Sequence, residues 1–208
     1  MLGRVVGTTL GAVAVLLGTA WGAASTQVVS FSPFAADGAL RAGVKIAPRS
    51  GKCWTTASAP VVQRAYRCMA GNLIHDPCFE PPGGVDAAAP AVVCVAAPWE
   101  RTVIRLHLQS KPDFEASGNP HPTLPWAMRL AGGRRCTFQQ GASGLDRAGR
   151  RLNYNCAMPG GGHELWLFGS VRRSQAAAWR IRAGQPATGF GGSYALAEHW
   201  VTVRTAWR

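Results

Sequence analysis

Charge is scarce in this 208-residue chain and acid is scarcer: 15% of the residues are charged, and ten acidic side chains face 22 basic ones. With 47% hydrophobic residues and eight tryptophans, such a chain is no disordered polypeptide and has enough apolar surface for one packed core. Lysine is confined to Lys45, Lys52 and Lys111, which leaves 22 − 3 = 19 arginines. Closely spaced cysteines are missing, which excludes the ligand spacings of zinc knuckles, redox motifs and haem-attachment sites. His75, His107, His121, His163 and His199 never stand at helical metal-binding spacing. No serine sits in a glycine-flanked nucleophile elbow, since Gly141-Ala142-Ser143-Gly144 lacks the symmetry. The glycine run at 160–162 is followed by His163 rather than by the Lys and Ser or Thr of a phosphate loop. No metal and no cofactor are expected.

What is present starts with an address. Residues 1–24 read MLGRVVGTTLGAVAVLLGTAWGAA, with one positive charge at Arg4, an uncharged stretch and a small-residue end, the layout of a secretory signal. Cleavage is expected after Ala24, or nearby after Gly22. The rival reading is an uncleaved amino-terminal membrane anchor, because the uncharged stretch runs about 20 residues, roughly a bilayer's thickness. Gly7, Thr8, Thr9, Gly11, Gly18 and Thr19 dilute its hydrophobicity and favour the signal. Export makes the six cysteines, Cys53, Cys68, Cys78, Cys94, Cys136 and Cys156, read as three disulfides. Nearest-neighbour pairing is expected, since the last two pairs fall on segments that look like adjacent strands; in principle fifteen connectivities are open.

Residues 25–52 are small and polar, with the run at 27–34 alone resembling a strand, and read as a tether or edge segment. A single domain is expected over 53–208. Ser58 as an N-cap, Pro60 in a first turn and Gly71 at a terminus predict a helix with Val61, Ala65, Cys68 and Met69 on one face. The following HDPCF at 75–79 reads as a turn. Beyond Pro90 the hydrophobic period falls to two, in Ile104, Leu106 and Leu108, in Trp126, Met128 and Leu130, and in five later runs. Residues 110–125, with four prolines, read as a crossing loop. The expected fold is α+β dominated by β: a small antiparallel β-sandwich or open barrel with one amino-terminal helix, stabilised by disulfides.

Cys53-Trp54, YRC at 66–68, DPCF at 76–79, PWAM at 125–128, NYNC at 153–156 and TAW at 205–207 together resemble a class of exported cysteine-rich domains of unknown function from high-GC bacteria. The resemblance spans roughly 53–207. It implies an extracytoplasmic module and brings no catalytic residues with it.

The most informative candidates are basic. Arg134, Arg135, Arg150, Arg151, Arg172 and Arg173, with Arg147, Arg180 and Arg182 beside them, fall at expected turns or on the outward phase of strands, and the first six are the centre of an anion-binding surface if those turns converge; the plainer reading is a solvated basic surface. Trp126, Trp179 and Trp207 are expected in the core, whereas Trp99 and Trp166 are expected exposed and able to stack on a sugar. For hydrolytic chemistry the pair to consider is Asp76 with Glu164, next to His75 and His163. The leading expectation is therefore an exported, non-enzymatic module for an anionic or carbohydrate envelope component or an acidic protein, with peripheral membrane contact compatible and nucleic acid excluded by compartment. A small secreted hydrolase using Asp76, Glu164 and His163 is the alternative, and a secreted inhibitor or structural envelope protein the third.

Overall fold

The computed structural model describes residues 25–116, 124–140, 144–146, 148–157, 165–174, 177–184 and 198–208; the amino-terminal segment 1–24, read as a signal, lies outside them. Among the described residues there are twelve strands and no helix: β1 (Gln27–Val29), β2 (Lys45–Thr56), β3 (Ala65–Ala70), β4 (Leu73–Phe79), β5 (Ala91–Cys94), β6 (Thr102–Leu108), β7 (Ala127–Leu130), β8 (Arg135–Phe138), β9 (Leu152–Ala157), β10 (Leu165–Arg172), β11 (Trp179–Gly184) and β12 (His199–Trp207).

The strands form two rings rather than a sandwich or one open barrel. β2 to β6 make a closed five-stranded barrel in which each strand runs antiparallel to the next. Alternation over an odd number of strands leaves the first and last pointing the same way, so closure has to be parallel, and it is, from Lys45 opposite Thr102 to Gly51 opposite Leu108. β7 to β12 alternate over an even number, and β12 returns antiparallel to β7. Residues 25–52, read as a tether or edge segment, supply both β1 and the start of β2. β1 lies along the part of β12 that β11 leaves unpaired, 205–207. Thr26 fills the gap between them: its hydroxyl accepts from the Trp179 N–H at 2.7 Å and donates to the Val203 carbonyl at 2.6 Å.

The helix expected after Ser58 does not form; its second half is β3. Tyr66, Cys68 and Ala70 face the interior of the first barrel and Ala65 faces the opposite side, a two-residue period that the apparent helical face concealed. Both edges of β3 are hydrogen-bonded, to β2 and β4, which satisfies its backbone without helical bonds. Ser58 caps nothing: its N–H and hydroxyl both donate to the Asp76 carboxylate. HDPCF is not a turn but the end of β4. Cys68 faces His75 and Tyr66 faces Cys78, so β4 bulges at Asp76 and Pro77, where a residue without an N–H is tolerated.

Each disulfide joins direct cross-strand partners: Cys53 with Cys68, Cys78 with Cys94 and Cys136 with Cys156. Two of them, with Tyr66, Val92 and Leu106, pack inside the first barrel. Phe79, Val93 and Val103, on the other face of the same strands, join Met128, Tyr154, Leu167 and Ile181 in a second core. Phe31, Phe79 and Trp126 form a triangle there, with ring centroids 5.0 to 5.9 Å apart. Tyr154, buried among these residues, donates its hydroxyl to the Pro125 carbonyl at 2.7 Å and so anchors the entry to β7.

At Gly51 two strands come too close for a side chain: a Cβ there would stand 2.0 Å from the Met69 carbonyl oxygen and 2.9 Å from Leu106 Cδ1. Gly51→Ala is expected to lose about 1–3 kcal/mol in urea unfolding. Gly132→Ala, with nothing within 4 Å, is expected to unfold like the parent.

Candidate functional site: arginines around Trp200

The six arginines singled out in the sequence do not share one surface. Arg135 stands opposite Ala157 at one end of β9, and Arg151 precedes the other end, a separation of about 20 Å along the strand at about 3.3 Å per residue. Arg135 lies over the Trp99 ring at 5.6 Å, and Arg151 lies over Phe138 at 5.6 Å. Arg134 lines a shallow depression with Leu165, His199 and Val201. Arg173 lies over Trp179 at 4.6 Å; desolvation and then the neighbouring Arg208 lower its pKa.

Arg172 does converge with others, namely Arg180 and Arg182, and not with its neighbour Arg173. It is the cross-strand partner of Arg180, and Arg182 is the partner of Trp200. Residues directly opposite share a face, and alternation puts Arg180 and Arg182 on the same side of β11. All three guanidiniums consequently meet one indole: the Trp200 ring centroid lies 4.5 Å from Arg172, 5.7 Å from Arg180 and 4.8 Å from Arg182. Arg172 and Arg180 are exposed, Trp200 is half-buried, and neither exposed arginine has an ion pair among the described residues. Like charges directly opposite each other lower sheet stability, which the indole face offsets in part. Arg129 and Arg135 are also cross-strand partners, yet their guanidiniums diverge, to Thr205 and Trp99.

A buttress borders this cluster. Glu198 accepts from Arg182 at 3.1 Å and from Arg150 at 2.6 Å, and Arg150 Nε donates to Asp146. Arg150 passes over Gly169, whose absent side chain leaves room for it: a Cβ would stand 3.4 Å from Arg150 Cδ. Arg150 is therefore a structural cation held by two carboxylates, whose hydrogen bonds, from Glu198 first and Asp146 second, raise its pKa.

Asp76 belongs to a different place. It lines a cleft of about 390 Å³ with His75, Thr102, Thr137, Gln139 and Gln140. Its buried carboxylate is occupied, accepting from the Ser58 N–H at 2.9 Å, the Ser58 hydroxyl and the Ala59 N–H at 3.2 Å. Such bonding fastens the loop before β3 to the β4 bulge. Burial, and then Arg49, lower the pKa of His75 and favour its neutral form. Glu164 and His163, the other members of the hydrolytic set, lie outside the described residues. Trp99 and Trp166, expected exposed, are both half-buried, and Trp99 packs edge-on against Trp207 at 5.6 Å; among the described residues the exposed indole is Trp54. Trp126 and Trp179 are buried and Trp207 is half-buried against the core, as expected of core tryptophans.

Trp200 and Glu198 carry no signal of a site in the sequence, whereas Arg180 and Arg182 stand among the outward-facing arginines named there. The alternation of Arg180, Ile181 and Arg182 carried the outward phase, but only strand register brings Arg172 and Trp200 beside them. Comparison with protein-family models, curated proteins and solved structures finds nothing that matches this chain.

Asp146 supplies the pH test of the buttress. Burial pushes its pKa up, but the Arg150 N–H and guanidinium and the Ala148 N–H bond the ionised form and bring it below the ordinary aspartate value. A depressed folded-state pKa contributes stability that is present above the unfolded value and lost as pH falls through the folded one. Thermal melts are expected to show that Asp146→Asn is less stable than the parent at neutral pH. The gap should narrow as the pH drops below the ordinary aspartate range.

Proposed function

We propose that the protein is a non-enzymatic binding module of an extracytoplasmic compartment that engages an anionic polymer of the cell envelope through Arg172, Arg180 and Arg182. One observation carries this reading: three guanidiniums gather on one indole, two of them exposed and without ion pairs among the described residues. Guanidinium forks recognise phosphate and carboxylate oxygens in pairs, and an aromatic base beneath them limits the motion that binding would otherwise have to freeze. Three disulfides fit an oxidising compartment, which favours envelope polymers over nucleic acid as the source of negative charge. Sugar stacking is the weaker use of Trp200, because its ring is already faced by guanidiniums.

The test is retention on immobilised polyphosphate and on immobilised polygalacturonate, which separates phosphate from carboxylate chemistry. Retention is expected to fall steeply with salt. Arg172→Glu with Arg180→Glu is expected to weaken it at least about tenfold, about 1.4 kcal/mol. Arg134→Glu with Arg135→Glu, a change of equal charge elsewhere, should weaken it far less. Equal losses in the two double variants would reduce the surface to general basicity, and retention insensitive to salt and to both variants would sink the proposal.

A further inference from the structure

The two disulfides inside the first barrel are close enough to react with each other. The sulfurs of Cys68, Cys78 and Cys94 all lie within 4.8 Å of one another, although Cys68 is bonded to Cys53 and Cys78 to Cys94. Five of the six cysteines are buried, at 3% exposure or less; Cys53 is half-buried. It precedes the exposed Trp54 on β2. A thiol arriving from solvent therefore meets this pair of disulfides first at Cys53, and the sulfur it displaces is released beside a second disulfide.

We propose that Cys53 is a site of reversible S-thiolation by a low-molecular-weight thiol, and that the neighbouring disulfide makes the adduct persist. In the first step an external thiolate attacks Cys53 Sγ; a mixed disulfide forms, the Cys53–Cys68 bond breaks and its electron pair leaves on Cys68. In the second, the Cys68 thiolate attacks Cys78 or Cys94. A new disulfide forms, the Cys78–Cys94 bond breaks, and the sulfur left over takes a proton from water. Two disulfides and one thiol stand on each side of the balance, so no oxidant is consumed.

The second step gives the first its lifetime. A Cys68 thiolate left beside the adduct would attack Cys53 and expel the modifying thiol at once, because the two residues are cross-strand partners. Once Cys68 is bonded to Cys78 or Cys94, that return path is closed until the exchange reverses. Cys136 and Cys156 lie on β8 and β9 in the other ring, so they serve as an internal reference for general opening.

The experiment treats the full folded chain with reduced glutathione at mildly alkaline pH, quenches with acid, alkylates free thiols and maps each cysteine by peptide mass spectrometry. Expected are glutathione on Cys53 and the alkyl group on Cys78 or Cys94, with Cys136–Cys156 intact. An alkyl group on Cys68 alone, glutathione on a cysteine other than Cys53, or opening of Cys136–Cys156 at the same rate would overturn the proposal. Cys53→Ser tests the inner step without added thiol, because it leaves Cys68 free from the outset. The free thiol is expected to move from Cys68 to Cys78 or Cys94 on standing, and a thiol that stays on Cys68 counts against the exchange. Should this variant not fold, the glutathione map of the parent chain decides alone.

Discussion

The contact of Phe31, Phe79 and Trp126 holds the architecture together. One ring comes from the segment after β1, one from the last residue of β4 and one from the residue before β7, so the triangle ties the amino-terminal segment, the first ring and the second at one point. Offset and tilted aromatic pairs contribute about 0.5–1.5 kcal/mol each beyond the area they bury. Phe79 and Trp126 are at most 1% exposed, which puts the contact inside the shared core. Because Trp126 also exchanges backbone hydrogen bonds with Trp207 and Phe138, the join sets where the second ring closes.

From that join the remaining constraints follow in order. The meander of five strands has to close parallel and the meander of six antiparallel, and two cross-strand disulfides in the first ring and one in the second clamp adjacent strands covalently. The disulfides fix β2 to β3, β4 to β5 and β8 to β9, while the hydrogen-bonded register of β10, β11 and β12 is what puts Arg172, Arg180 and Arg182 around Trp200. The bulge after Phe168, with Gly169 at φ 68°, adjusts β10 so that Arg172 meets Arg180. Glu198 and Asp146 take up Arg150 and part of Arg182, leaving Arg172 and Arg180 as the end of the charge network without ion pairs among the described residues.

Legibility in the sequence followed burial. Strands with one apolar and one charged face, such as β11 with Trp179, Ile181 and Ala183 alternating with Arg180 and Arg182, announce themselves by their period. Two strands of the first barrel that contribute to both cores do not: Ala91 to Cys94 is apolar throughout, and Ala65 to Ala70 sends Ala65 to one core and Tyr66, Cys68 and Ala70 to the other. With alternation lost, Ser58, Pro60 and Gly71 were free to suggest a helix, and Asp76-Pro77 a turn. Aspartate and proline punctuate chains in bulges as well as in turns, and only pairing on both sides distinguishes the two. Arginines at strand ends were visible, yet proximity in sequence said nothing about which end of the ring each occupied.

By itself the sequence determined the β-rich character of the chain, the disulfide chemistry of its six cysteines and the excess of arginine, because composition, spacing and two-residue periodicity are local properties. Tertiary structure alone decided that there are two rings, that β3 is a strand, that Asp76 is spent on a loop and that the arginines divide among separate surfaces. The reason is physical: register between strands distant in the chain depends on how two apolar faces pack, and no local pattern specifies that packing.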